Sequence, residues 1–468
     1  VDGDRVSFEK MLSGFEGGAY RPESFETYYE QSERLDALGI SIPPEARVLE
    51  MQAPFAKMAI DVLTEVLIPA GFIIADDGRK GLVRDLRVVW QANDMDSQFN
   101  LAAAEALAAG SVFWVLSPAD EDHEHPSVRA LDSRHAGVRI DHFGNVIEGV
   151  AVYRSGDGVK CASYYTPDGM TAYRQVGTRW VSDWSTSDPW GASIVPMFNR
   201  ARLRDRYGRS DLKELKTVID AASRTLTNLQ MGQEVAAFPL RFLIGDGADR
   251  MLAGQQAAAA MNGQFGGNRM ENYAGALLAA PTGADVKQLT GASLDTFTNT
   301  YRTYALQISA MTGIPPSMMG VAADNNPTSA EALRVAKDRL IARAENKQRQ
   351  FSDALERIAR IIAVMNGESP EGLETLEVMW ADAAAPSASA QMATAMQAES
   401  QGVIGAETAR DFMHLSPEQM ERENRRQNDL DSMAGQILPI GPQEEDEEDP
   451  EDSDEEEDPA GDKDEAKK

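Results

Sequence analysis

Four of the five histidines in this 468-residue chain, His123, His125, His135 and His142, fall close together among Asp120, Glu121, Asp122, Glu124, Asp132 and Asp141. Neutral imidazoles beside carboxylates can ligate manganese, iron or zinc, so a metal-dependent hydrolase or nuclease using residues 120–142 is one reading. The spacing matches neither a pair of ligands on a helix nor a zinc ribbon, and Pro118 and Pro126 bracket a run that also reads as a solvated polar loop. Ser210 and Lys213 have the S-x-x-K spacing of some acyl enzymes, but the S-D-N and K-T-G partners of that chemistry are missing. Ser210 better suits the start of a helix. No G-x-x-x-x-G-K-[ST] loop occurs, and Gly245-Asp246-Gly247 precedes no phosphate-binding helix. The expectation is no enzyme, no cofactor and no metal ligand, with the histidine-rich region as the alternative.

Two groups of cations offer a different chemistry. Arg200, Arg202, Arg204 and Arg206 alternate, with Arg209 just beyond. In an extended strand that period would put the first four on one face, where they could meet acidic residues of a neighbouring subunit or phosphates. Arg334, Lys337, Arg339, Arg343, Lys347 and Arg349 outnumber Asp338 and Glu345 on a helical stretch. They could contact DNA or an acidic subunit, or form a solvated face with pairs such as Glu345 and Arg349.

The elements that must position these residues read as α+β, mainly helical. Helices are expected at Phe25–Leu38, Phe55–Leu67 and Asp96–Ala109, the last stopped by Gly110. The period then changes: Ser111–Leu116, Val146–Tyr153, Ala162–Tyr165 and Met170–Arg174 read as strands, with a turn at Pro167-Asp168-Gly169. Asp211 with Glu214 has a capping-box pattern, opening a helix with one face of Leu212, Leu215, Ile219, Ala222, Leu226 and Leu229. A glycine-rich excursion from Pro239 to Gly291 follows, with a short helix at Arg250–Met261. Leu294, Phe297, Tyr301, Tyr304, Ile308 and Met311 then form a heptad seam that stops at Gly313-Ile314-Pro315-Pro316. A helix from Thr328 to Met365, capped by Thr328 and Glu331, would be ~57 Å long. Such a seam and so long a helix are expected to need partners outside their own subunit. Leu373–Trp380 reads as a strand and Ser389–Arg426 as short helices.

The order of these parts resembles the portal proteins of tailed double-stranded DNA bacteriophages of the long-tailed type. The resemblance rests on Pro196-Met-Phe-Asn-Arg200 leading through Tyr207-Gly-Arg-Ser-Asp-Leu212 into a helix containing Ile219-Asp-Ala221, and on Ala237-Phe-Pro-Leu-Arg-Phe-Leu-Ile-Gly245. Most specific are Thr312-Gly-Ile-Pro-Pro-Ser-Met-Met-Gly320 and Asn325-Asn-Pro-Thr-Ser-Ala-Glu-Ala332, which opens the long helix. It covers roughly residues 20–430. It implies a portal fold with wing, stem, clip and crown regions, assembled as a ring, typically of twelve subunits, at one capsid vertex. By that resemblance, 1–206 is wing, 207–238 the first stem helix, 239–291 the clip, 292–314 the second stem helix and 315–327 the tunnel loop. Residues 328–366 are then the long wing helix, 367–388 the returning strand and 389–440 the crown.

The resemblance further implies that Val321, Ala322, Ala323, Asp324, Asn325 and Asn326 face DNA, and that Phe265, Asn268 and Arg269 of the clip face the terminase and later an adaptor. Arg200, Arg202, Arg204, Arg206, Arg334, Lys337 and Arg343 become candidates for subunit or DNA contact. Implied partners are further copies of the chain, duplex DNA as translocated cargo, the terminase large subunit, a head-completion or adaptor protein, and the major capsid and scaffolding proteins. The implied location is the portal vertex of the virion, after assembly in the host cytoplasm.

Charge bounds this reading. The chain carries 45 Lys+Arg against 75 Asp+Glu, a formal net of −30, with no global cation excess to displace counterions from DNA. Residues 441–468 hold 16 acidic and 3 basic residues and read as a disordered acidic tail; the body stays acidic without it. A wall that lets DNA pass should not hold it tightly, so acidity is compatible with DNA as cargo. The lone Cys161 forms no disulfide within the chain, and no apolar run reaches the ~18 residues of a membrane span. Asp2, Asp4 and Glu9 occupy the place of a basic signal-peptide start, so a soluble intracellular chain is expected.

Overall fold

The computed structural model describes residues 2–36, 44–75, 79–121, 123–188, 190–200, 202–237, 241–244, 285–288, 293–320 and 330–384, with isolated positions at 393, 396–397, 400–401 and 425–426. The chain divides into two units, Val1–Pro386 and Ser387–Lys468. Nearly all described residues belong to the first, an α+β unit. The expected helix at Arg250–Met261, residues 321–327 of the expected tunnel loop (315–327), the cap at Thr328 and nearly all of the crown and tail lie outside the described residues. Among the described residues no helix is long and apolar enough to cross a membrane.

The first half opens with α1 (Asp2–Glu16), α2 (Glu26–Tyr29), α3 (Phe55–Thr64), β1 (Pro69–Ile73), α4 (Lys80–Ala92) and α5 (Met95–Ala109). Two strands, β2 (Ser111–Ser117) and β3 (Ser127–Asp132), follow. The meander β4 (Ala136–Ile140), β5 (Val146–Arg154), β6 (Lys160–Thr166), β7 (Gly169–Val176) and β8 (Arg179–Ser187) comes next, then β9 (Ile194–Phe198). β4 to β8 form one antiparallel sheet in sequence order, and β3, β2 and β9 form a second. Directly opposed residues share a face, which sorts the meander's side chains into two cores. Val150, Ala162, Tyr164, Tyr173 and Trp180 receive Phe8, Met11, Leu12 and Phe15 of α1, with Phe8 stacked on Tyr173 at 3.9 Å. The other face packs Ala151, Tyr165 and Val138 against Phe113, Ile194 and Phe198 of the smaller sheet.

That smaller sheet turns Val112, Trp114, Leu116, Val195 and Met197 the other way, into the largest core. There the helices meet it: α3, α4, α5, then α6 (Lys216–Ala237), α7 (Leu294–Thr312) and α8 (Ala330–Met365). Leu340, Ala344, Phe351, Leu355, Ile358 and Ile362 of α8 recur at helical spacing and are all buried. β12 (Glu377–Trp380) runs back antiparallel to β1, and Trp380 donates its indole N–H to Ser352 Oγ of α8 at 2.8 Å. Between α6 and α7, β10 (Arg241–Ile244) and β11 (Asp285–Gln288) pair antiparallel.

Three expectations change. Of the helix expected over Phe25–Leu38, the described residues form only the single turn α2. Side-chain bonds divert the rest: Thr27 bonds to Glu33, Gln52 donates to the Glu33 carbonyl, and Tyr28 and Tyr29 donate to Asp220 and Asp61, local competition that breaks a helix. The heptad seam of α7 finds its partners inside the chain. Leu294 and Phe297 lie over Gly232 of α6, and Tyr301 stacks on Phe55 at 5.1 Å. The long helix likewise buries its stripe in its own subunit. Helices α1 and α4 are additions to the expected set.

One close approach fixes how the sheets meet the helices. Gly110, which ends α5 at φ 96°, and Gly208, at φ 91°, lie back to back: a Cβ on Gly208 would stand 1.8 Å from the Gly110 carbonyl oxygen. Replacing Gly208 with Ala should therefore destabilise the unit by more than the ~1 kcal/mol of a simple positive-φ penalty. A denaturant titration checks this against Gly144→Ala, where the φ is also positive but the space is open.

Candidate functional site: a charged junction under the sheets

β9 ends at Phe198, and Asn199 immediately takes over the backbone pairing. Its N–H donates to the Gly110 carbonyl at 3.0 Å and its carbonyl accepts from the Arg209 N–H at 2.7 Å. The intervening residues form consecutive turns, with Asp205 N–H to the Arg202 carbonyl and Gly208 N–H to the Asp205 carbonyl. The extended strand that would align four arginines is thus absent, because the ladder partner of β9 ends and Asn199 closes the loop on itself.

The chain re-enters regular structure at Ser210, whose hydroxyl accepts from Leu212 N–H at 3.1 Å and caps the turn before α6. Asp211 is therefore not the cap that its spacing to Glu214 suggested. Its carboxylate points inward and is almost fully buried. Oδ1 accepts from Asn199 Nδ2 at 2.8 Å and from Lys347 Nζ at 3.0 Å, while Oδ2 pairs with the Arg343 guanidinium. Lys347 also donates to Asn199 Oδ1, and Arg343 donates to the Thr312 carbonyl at 2.9 Å, at the C-terminal end of α7. That end carries the negative pole of the helix dipole, a favourable seat for a cation. One more turn along α8, Gln350 accepts the Arg200 N–H at 3.2 Å. Residues 343, 347 and 350 thus form a polar stripe on α8, and that stripe gathers β9, the start of α6 and the end of α7.

The electrostatics follow from two cations and one anion in a dry place. Burial pushes the Asp211 carboxyl upward, but Lys347 and Arg343 outweigh it and hold the group at about 2, below its usual 3.8. Burial lowers Lys347, opposed by Asp211 and reinforced by Arg343. The trio carries one excess positive charge, which is what burial penalises.

Several expected site residues prove to be occupied in the chain. Arg343 and Lys347 belong to the junction. Arg200 lays its guanidinium 5.0 Å from the Phe198 ring centre, and Arg206 donates to the Asp141 carbonyl at 2.5 Å. Arg202 and Arg204 are exposed, and Lys337 is half-exposed. The side chain of Arg334, the residues Val321, Ala322, Ala323, Asp324, Asn325 and Asn326, and Phe265, Asn268 and Arg269 lie outside the described residues.

The histidines do not converge. His123 Nδ1 lies 2.9 Å from Asp120 and His135 Nδ1 2.8 Å from Asp132, each a pairing within its own turn, and His142 sits against Phe143. Among the described residues no three His, Cys, Asp or Glu side chains are placed to hold a metal. A small cavity lined by Phe72, Leu86, Trp90, Met95, Val128 and Ile362 has no acid or base in its wall.

Asn199 and Asp211 were not anticipated as partners of α8. The signal available was the pair Arg343 and Lys347, four residues apart beside the apolar Leu340, Ala344 and Phe351; cations at such positions require a buried carboxylate.

Comparison with known proteins places the chain among others of similar length. The family model described as "Phage portal protein, SPP1 Gp6-like" matches residues 20–428. A portal protein of Mycobacterium phage L5 is 30% identical over 451 residues, covering 93% of this chain and 90% of that protein. One of Mycobacterium phage D29 is 30% identical over 447 residues, covering 92% and 89%. Among solved structures, a chain from the neck of a native gene transfer agent particle, computed with C12 symmetry, is 18% identical, with a TM-score of 0.42 over 84% of this chain and 99% of that one.

Two outcomes are expected of the junction. Asp211→Asn leaves two buried cations without their anion and should cost about 3–5 kcal/mol, measured by denaturant unfolding. In wild type, the Asp211 contribution is complete above pH 3.8 and is lost as pH falls towards 2. An acid titration followed by circular dichroism should therefore show a loss of stability in that window that Asp211→Asn lacks.

Proposed function

The chain belongs to the SPP1 Gp6-like family of phage portal proteins, and from that premise we propose that it is the head-to-tail connector of a phage particle, a structural subunit without catalysis of its own. Copies assemble into a closed ring at one capsid vertex, twelve by the family's usual count. Double-stranded DNA enters through the ring's channel during packaging, driven by a separate terminase, and leaves by the same route on ejection. The observation that carries this reading is the family match over most of the chain.

The geometry supports the finer assignment. The last turns of α6 meet the first turns of α7 at Gly232, Leu294 and Phe297, so the two helices run antiparallel, with the paired β10 and β11 between them in the chain. That arrangement suits a pair of stem helices (207–238 and 292–314) carrying a clip (239–291), whose Phe265, Asn268 and Arg269 would face the terminase and then an adaptor. Residues 1–206 and 328–388 form the wing, 389–440 the crown and 441–468 an acidic tail. The tunnel loop, 315–327, presents Val321 to Asn326 to DNA with Asp324 as its one charge, which favours sliding over gripping. The particle's capsid and scaffolding proteins surround the ring, which forms in the host cytoplasm and stays in the virion.

The absence of a phosphate-binding loop fits a channel whose motor is another protein. Turnover by the histidine-rich region has no support from the arrangement of His123, His135 and His142.

Electron microscopy of the purified full chain should show rings with a channel wide enough for a duplex. A compact monomer under all assembly conditions would overturn the reading.

A further inference from the structure

The loop between β9 and the start of α6 holds Arg200, Arg202, Arg204, Arg206 and Arg209 against a single acid, Asp205, in a chain of net charge −30. Three of the five arginines shape the loop. Arg200 Nη2 donates to the Arg206 carbonyl at 3.1 Å, Arg206 donates across to the Asp141 carbonyl in the β4–β5 hairpin, and Arg209 pairs with Glu214 at 2.7 Å. The hairpin tip is braced as well: the Asp141 carboxylate accepts from Phe143 N–H and Asn145 N–H, each at 2.8 Å, and from Asn145 Nδ2. What these braces present to water is unusual. Leu203 is fully exposed and Phe143 is 79% exposed, with Arg204 74% exposed and Arg202 exposed beside Leu203.

Two large apolar side chains held outward on clasped loops, with two outward arginines, have the composition of an interface anchor. Bracing before contact removes much of the ordering cost of binding. A duplex backbone would need the cations but not the leucine and the phenylalanine. An acidic protein surface needs both.

We propose that Phe143, Arg202, Leu203 and Arg204 form a knob by which one copy of the chain docks on the acidic surface of the next copy in the ring. The inference rests on the ring reading above and identifies the contact that builds it. Charge decides the kind of contact: a two-fold pairing would set cationic knob against cationic knob, whereas a head-to-tail pairing sets it against a different, acidic patch. Head-to-tail contacts are those that close into rings.

The test uses the full chain in sedimentation velocity over a concentration series, with Leu203→Asp, Phe143→Ser and the pair Arg202→Glu and Arg204→Glu. All four side chains are exposed, so each variant should match the wild-type thermal transition and near-ultraviolet circular dichroism. Each should need roughly tenfold more protein, or greater, for half-assembly, and added salt should weaken wild-type assembly more than that of the charge-reversed variant. Variants that assemble at the wild-type concentration overturn the knob while leaving the ring intact. Variants that assemble normally but lose retention of duplex DNA assign the knob to nucleic acid and overturn it too. A wild-type chain that never assembles removes the ring reading first, and the knob with it.

Discussion

The buried carboxylate of Asp211, shared by Lys347, Arg343 and the amide of Asn199, is the interaction on which the rest of the first unit depends. The network joins four places: the end of the smaller sheet, the entry to α6 where Asp211 sits, the last turn of α7 by way of the Thr312 carbonyl, and the middle of α8. Apolar packing holds each layer together but is indifferent to small slides of one layer over another. Charged hydrogen bonds are not, since breaking one leaves a buried ion uncompensated. The junction therefore sets the register between sheets and helices, and the back-to-back Gly110 and Gly208 permit the approach that it requires.

For a subunit of the proposed channel this placement has a mechanical sense. Arg343 ties α8 to the end of α7, immediately before the segment assigned to the tunnel loop. Lys347 and Gln350 tie the same helix to the strand end from which the arginine loop emerges. One helix thus links the segment assigned to the tunnel loop with the surface proposed to meet the neighbouring subunit. In the proposed channel, a net charge of −30 over the whole chain disfavours retention of DNA, while the cations of α8 at 343 and 347 serve contacts within the subunit.

Much of the architecture was legible from periodicity. The stop at Gly110, the strands β5, β6 and β7 of the meander, the apolar stripe of α8 and the end of α7 at Gly313 all follow local rules of spacing and capping. What was not legible depended on distant partners. The arginines at 200, 202, 204 and 206 look like one face of a strand until Asn199 folds the loop into turns. Asp211 looks like a cap until α8 arrives from over a hundred residues away with two cations. The seam of α7 looks unpartnered until α6 supplies Gly232 as its floor. In each case the local pattern allowed more than one outcome and the tertiary contact decided it against the expectation. The family, by contrast, was legible from the order of short motifs alone.

The central claim is that Asp211 and the α8 cations act as one unit rather than as separate contacts. A double-mutant cycle on Asp211→Asn and Lys347→Met, read by denaturant unfolding, measures this directly. The account predicts that the double variant loses less than the sum of the single losses by well over ~0.5 kcal/mol, the scatter expected of independent sites. Losses that add within that margin would contradict it.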